Sequence, residues 1–148
     1  MAYKRIQLDG TGFVLDEAVA AAAINPGNIV EKTSAGYYQK HSTEAGFGQV
    51  AVAVEDALQG NTVDDAYAAA DLVQVHILSR GIRFQALLAS GNKVVIGDGL
   101  VSDGAGRLET VAVAESDSTV KQILAYAEEA SDQSDSDGAD TLIAVRSA

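Results

Sequence analysis

The chain has 148 residues, 47% of them apolar, and a formal net charge of −11 from 21 Asp and Glu against 10 Lys and Arg. That length fits one domain, at most a domain with an arm. The acidity argues against nucleic acid, whose phosphates need Lys and Arg, and against anionic membrane surfaces. The absence of cysteine excludes disulfides and thiolate metal sites, and no apolar run is long enough to span a bilayer or form a signal core.

Much of the apolar material is Ala and Val, so the core should rely on many small contacts, which suits a layered β architecture. In chain order, residues 1–23 read as an N-terminal arm. Asp16 is placed to cap a short helix through the alanine run, which Asn25-Pro26 would end. From Ile24 onward turn signals recur every ten residues or so: "NPGN", "SAG", "EAGFG", "QGN", "SRG", "SGN", "GDG" and "DGAG". Between them lie short β-prone runs: Ile29 to Lys32, Gln49 to Val54, Leu72 to Leu78, Ile82 to Leu88, Lys93 to Ile96, Leu100 to Ser102 and Leu108 to Val113. Such spacing predicts an all-β domain over 24–148, a small β-barrel or β-sandwich. In "GQVAVAVED", Val50, Val52 and Val54 share one face and Ala51 and Ala53 the other. In "DLVQVHILSRG", Val73, Val75 and Ile77 face one way, and Leu72, Gln74, His76 and Leu78 the other. "TVDDAYAAAD" reads as one helical turn capped by Thr62. "STVKQILAYAEEASD" fits both periods, and the surrounding β-runs favour strand. "TLIAVRSA" is the last β-run.

The chemical motifs are weak. "DQSDSDGAD" has acids at Asp135 and Asp137 as in a calcium loop, but position 133 is Gln and the closing Glu position is Ala144, so it reads as a solvated loop. "GDGLVSDGAG" lacks the Lys-Ser/Thr of a phosphate loop and makes better sense as a hairpin around "SDGAG". His41 and His76 are not at metal-ligand spacing. There is no Gly-x-Ser-x-Gly elbow. The expectation is no catalytic residue, no metal and no cofactor.

The pieces "PGNIVE", "ED…QG…VDDAY", "DLVQVHILSRGIRFQALL", "GDGLVSDGAGRL" and the terminal "TLIAVRS" come in an order that resembles the decoration, or cement, proteins of tailed-phage capsids, over residues 24–148. Where that family commonly has Gly-Asp before the strand beginning "LVQV", this chain has Ala70-Asp71. The resemblance implies a β-barrel or sandwich on the outer capsid surface, bound to the major capsid protein as a homotrimer at three-fold and quasi-three-fold positions, with a terminal arm reaching neighbouring subunits. Such a protein stabilises the shell against internal DNA pressure through multivalent contact. The host cytoplasm would hold it before assembly. On that reading the arm residues Tyr3, Lys4, Arg5, Ile6, Gln7 and Leu8 are expected to touch the capsid, with Lys4 and Arg5 supplying charge and Tyr3, Ile6 and Leu8 apolar anchors. The alternatives are another phage structural part, such as a tail or fibre component, and a small β-barrel binding a sugar or metal through acids around Asp98 and Asp103.

Overall fold

The computed structural model describes residues 5–111, 120–135 and 139–148. They form β1 (Phe13–Val19), β2 (Val30–Lys32), β3 (Tyr38–Lys40), β4 (Ala51–Ala53), β5 (Leu72–Leu78), β6 (Arg83–Leu88), β7 (Lys93–Val94), β8 (Gly99–Ser102), β9 (Leu108–Thr110), β10 (Ala125–Ala127), β11 (Ser131–Asp132) and β12 (Thr141–Ser147), with a single 3-10 turn at Ala57–Gln59. The all-β expectation holds, and the architecture is a barrel. Strands β10-β12-β6-β9-β8 close on themselves, beside a three-stranded sheet in the order β1-β5-β4 and two small ribbons, β2-β3 and β7-β11.

The long central pair explains the closure. β12 runs antiparallel to β6 from Thr141↔Leu88 to Arg146↔Arg83. Phe84, Ala86, Leu88, Ile143 and Val145 alternate inward along these two strands. β8 and β9 form the hairpin expected around "SDGAG", with Leu100 opposite Thr110 and Ser102 opposite Leu108. Asp103 shapes the turn by accepting from the N–H groups of Ala105 at 2.8 Å and Arg107 at 3.0 Å.

Two hydrophobic clusters result. The barrel core gathers Ile6, Ile29, Val50, Val52, Val54, Phe84, Leu88, Leu100, Leu108, Leu124, Ile143 and others. The sheet core gathers Ala20, Ile24, Val30, Tyr38, Ala51, Ala53, Tyr67, Val73 and Val75. β4 is the shared wall. Its flanking and central valines face the barrel, and its alanines face the sheet core.

The N-terminal part departs from the expected arm. Phe13–Val19 is not a helix capped by Asp16 but a strand, paired with β5 along its full length from Phe13↔Leu78 to Val19↔Leu72. Asp16 instead accepts from Lys32 Nζ and Tyr38 Oη, both at 2.7 Å. The alanines lack a run of neighbours that could bury one helical face, whereas "FVLDEAV" offers β5 a seven-residue ladder. The boundary at residue 23 therefore falls inside the folded unit, since Ala20 and Ile24 are both in the sheet core.

The outer edge of β6 shows why. β9 pairs with it only at Leu88. Further back, Leu87 N–H donates to Gly27 O at 3.0 Å, and Gln85 N–H donates to Ile6 O at 2.6 Å. Arg83 O accepts from Leu8 N–H at 3.1 Å. Two separate segments, residues 6–8 and the turn at Gly27, thus complete the ladder that a short β9 leaves open. At Gly27, φ is +91° and a Cβ would lie 2.5 Å from the Leu142 side chain, so the "NPGN" turn needs glycine there for both reasons.

Smaller differences follow. The "TVDDAYAAAD" helical turn is replaced by a turn in which Asp65 Oδ2 accepts from Thr62 N–H at 2.7 Å. Of "STVKQILAYAEEASD", only Ala125–Ala127 and Ser131–Asp132 form strands among the described residues. Asp137, the nearest acid to the glycine of the calcium-loop template, lies outside the described residues.

Candidate functional site

Tyr3 and Lys4 of the expected capsid-binding arm lie outside the described residues. The others contact the chain's own fold. Ile6 is fully buried in the barrel core, and its N–H donates to Glu55 Oε2 at 3.0 Å. Gln7 pairs with Phe84 as an isolated bridge and donates from Nε2 to Gly10 O at 2.8 Å. Arg5 and Leu8 are exposed. Ile6 is thus an internal anchor, because β6 presents an open edge and an apolar pocket at that point. The clue in the sequence was the alternation of Ile6 and Leu8 with polar residues, which is a strand pattern.

The segment forms one wall of a cleft of about 510 Å³, whose other residues include Phe13, Val54, Glu55 and His76. The Phe13 ring stacks on the His76 imidazole, with centroids 4.3 Å apart and planes at 21°. Burial pushes the His76 pKa down, partly offset by the nearby Glu55 carboxylate. Gln7 Oε1 and His76 Nδ1 are buried with no hydrogen-bond partner among the described residues.

His41, the other histidine, is buried, with Nδ1 2.8 Å from Ser102 Oγ. Its Nε2 is 3.7 Å from Glu31 Oε2. Ser102 is itself fully buried, so this Ser-His-Glu arrangement offers no hydroxyl to a substrate. It fastens the β2-β3 ribbon to the barrel instead. The two histidines are in different places, and among the described residues no group of three or more His, Asp or Glu could hold a metal ion. Asp103 is occupied by Arg107, whose Nε is 2.6 Å away. Asp98 accepts from Val95 N–H at 2.9 Å. Both acids of the sugar-or-metal alternative are therefore committed to turns. Close by, burial together with Glu44 and Asp103 raises the pKa of Glu109.

Large apolar side chains are exposed on β1 and its partner, where Val19 lies opposite Leu72, and the consecutive Val14 and Leu15 point to opposite faces. Others are exposed singly along the chain, among them Tyr37, Phe47, Leu58, Val95, Ile96, Val120 and Tyr126. Gln122 pairs with Gly48, donating from Nε2 to Gly48 O at 2.9 Å and accepting from Gly48 N–H at 2.7 Å.

No protein-family model matches this chain, and no curated protein matches it. Among solved structures it is similar to the head fiber gp8.5 N base of bacteriophage phi29. The TM-score is 0.56 at 13% sequence identity, and the match covers 92% of this chain and 94% of that one. At that identity the likeness is one of fold, and it extends nearly end to end over both chains.

Proposed function

We propose that the protein is a structural part of a tailed-phage virion, held on the outer surface of the head as a decoration protein that binds the major capsid protein and stabilises the shell. The observation that carries this reading is the end-to-end likeness to the base of a bacteriophage head fiber protein. The resemblance of the chain to capsid cement proteins points the same way. The exposed apolar side chains, such as Val19 and Leu72 side by side on β1 and β5, supply apolar contacts for such a clamp. The acidic surface keeps free copies soluble and steers them toward a basic shell face. In this reading the protein is not an enzyme, and its action requires no cofactor.

The test is to mix purified protein with emptied shells of the cognate phage and to measure co-sedimentation, then image the particles by cryo-electron microscopy. Density on the outer surface at three-fold and quasi-three-fold positions is the expected result. Failure to co-sediment with any cognate shell rejects the reading. The nature of the structural neighbour favours one second reading, the base of a head fibre. It would give density that continues into a rod projecting from the head.

A further inference from the structure

The cleft beside the N-terminal segment has a chemistry that the reading above does not use. Its volume, about 510 Å³, is in the range of pockets that take a side chain or small ligand. Its aromatic surface is the stacked Phe13–His76 pair. Two buried polar atoms of cleft-lining residues, Gln7 Oε1 and His76 Nδ1, have no partner among the described residues, and an unmet buried polar group costs roughly 1–3 kcal/mol. Gln7 Oε1 can only accept a hydrogen bond. His76 Nδ1 accepts when the ring proton is on Nε2. Beside them stands the Glu55 carboxylate, one oxygen of which holds Ile6 N–H. Those two atoms are buried away from the opening, so the cleft itself offers the carboxylate and π surface. Its two acids, Asp9 and Glu55, disfavour an anion, and Asp9 is already held by Arg83 at 3.1 Å. Among the described residues the one cation of the lining is Arg5, which is exposed, where solvent and salt screen its charge.

We propose that this cleft is a socket for an arginine side chain presented by the surface to which the protein binds, with the guanidinium lying against the Phe13–His76 pair and donating to the Glu55 carboxylate. Three features select arginine. A planar guanidinium stacks on an aromatic pair, which an ammonium does less well. Its rigid fork of N–H donors suits a carboxylate such as that of Glu55. Its aliphatic stem fits the apolar wall made by Val54 and Ala57. An acidic chain, at −11, also meets a basic partner with favourable long-range attraction. The identity of the partner as a phage shell rests on the reading in the preceding subsection, whereas the chemistry of the socket does not.

Two measurements separate these claims. First, the isolated, isotope-labelled protein is titrated with N-acetyl-L-arginine methylamide while the His76 and Phe13 ring resonances are followed. Saturable shifts are expected at both rings. The neutral isostere N-acetyl-L-citrulline methylamide is expected to bind about tenfold more weakly, as is the arginine probe to Glu55→Gln. That variant keeps an oxygen to accept Ile6 N–H. Arg5→Gln should bind the arginine probe more tightly, by about twofold. No response at the two rings, or an equal response to the citrulline probe, overturns the socket and leaves a water-filled cleft. Second, wild type and Glu55→Gln, both shown to be folded by circular dichroism, are mixed with empty shells. A loss of occupancy of about tenfold in the variant is expected. Equal occupancy overturns the assignment of the socket to the shell contact. If the wild type ignores shells but saturates with the arginine probe, the virion reading falls and the socket stands.

Discussion

The barrel core and the sheet core are built from different side chains, and β4 belongs to both. The barrel side takes Phe84, Ile6, Leu88, Leu100, Leu108, Leu124 and Ile143, all fully or almost fully buried. The sheet side takes Ala20, Ala51, Ala53, three valines and one large aliphatic residue, Ile24, with Tyr38 and Tyr67 as its aromatic rings among the described residues. Each large aliphatic or aromatic side chain taken from water contributes roughly 1.5–3 kcal/mol. An alanine contributes much less, so most of the hydrophobic stabilisation is in the barrel. The sheet core relies more on polar contacts at its margin. Tyr67 Oη donates to Val54 O and Tyr38 Oη to Asp16 Oδ2, both at 2.7 Å. The difference shows that the fold has a strong part and a weaker part sharing one strand.

The largest effects should come from emptying the barrel. Phe84→Ala is expected to cost about 3–5 kcal/mol and Ile6→Ala about 2–5 kcal/mol, read as a lowered urea midpoint. The Ile6 value is the sharper test, since it asks whether the N-terminal segment belongs to the barrel. Removal of residues 1–10 should likewise destabilise the whole domain. An unchanged midpoint in either would return the segment to the status of a loose arm.

The sheet core should instead resist enlargement. Ala53 is fully buried and lies opposite Val75 of β5. Ala53→Leu forces extra methyl groups into a space filled by small residues, and a cost of about 1–3 kcal/mol in thermal or urea unfolding is expected. Leu58→Ala, at a side chain 95% exposed, should leave the midpoint within about 0.5 kcal/mol. A neutral Ala53→Leu would mean that the two cores do not differ in tightness.

Alkali should separate the two regions further, because phenols are found in the sheet core and not in the barrel core. Burial pushes the Tyr67 pKa up to about 12, and burial with the hydrogen bond to Asp16 raises that of Tyr38. A tyrosine with a raised folded pKa stabilises fully below its unfolded value near 10, and that contribution is lost as pH rises through the folded value. Hydrogen exchange of β5 and β1 should therefore speed up between pH 10 and about 12, ahead of β6 and β12. Tyr67→Phe should cost about 1 kcal/mol at neutral pH through the lost hydrogen bond, and should flatten the alkaline slope. Simultaneous loss of protection in all four strands would argue for a single cooperative core.

The alternation in "GQVAVAVED" was legible as two faces, but in solvated sheets one face is polar, and here both are apolar. The pattern encodes size: valine toward the barrel and alanine toward the sheet. The span of β5 was read to the residue, because its apolar alternation is bounded by clear turns. The membership of β1 was not legible. "FVLDEAVAAAA" has acids and alanines where a strand usually has β-branched residues, and only the long-range pairing with β5 decides its state. The cleft was equally hidden, since Phe13, Glu55 and His76 meet only through the β1-β5-β4 sheet, and Gln7 joins them only through its bridge to Phe84 of β6. His76 stood out in the sequence as a polar residue, with Gln74, on an otherwise apolar strand, and that was the one available signal.

The smallest expected effect concerns the turn that leads into β5. The sequence has Ala70-Asp71 where the decoration family commonly has Gly-Asp. In the structure Ala70 has φ of +74°, in the left-handed region that L residues other than Gly, Asn and Asp seldom enter. Asp71 N–H donates to Ala68 O at 3.1 Å, closing a turn with Ala70 third, the position that calls for glycine when φ is positive. Asp71 holds the turn from both ends. Its side chain accepts from Ala68 N–H at 2.7 Å, and its carbonyl accepts from Ala20 N–H at 2.8 Å. The surrounding bonds thus impose a conformation that the methyl group opposes. Ala70 is exposed, so removing that methyl group opens no cavity. Two effects then compete. Glycine relieves the left-handed strain of roughly 1–2 kcal/mol, and its freer unfolded chain takes back roughly 0.4–1 kcal/mol. The strain is the larger, so Ala70→Gly is expected to stabilise the protein by about 0.5–1 kcal/mol, measured as a rise in the urea midpoint at constant slope. Because the turn fastens β1 to β5, the gain should appear as slower hydrogen exchange in the sheet and little change in the barrel. A lowered midpoint would mean that Ala70 is relaxed where it stands.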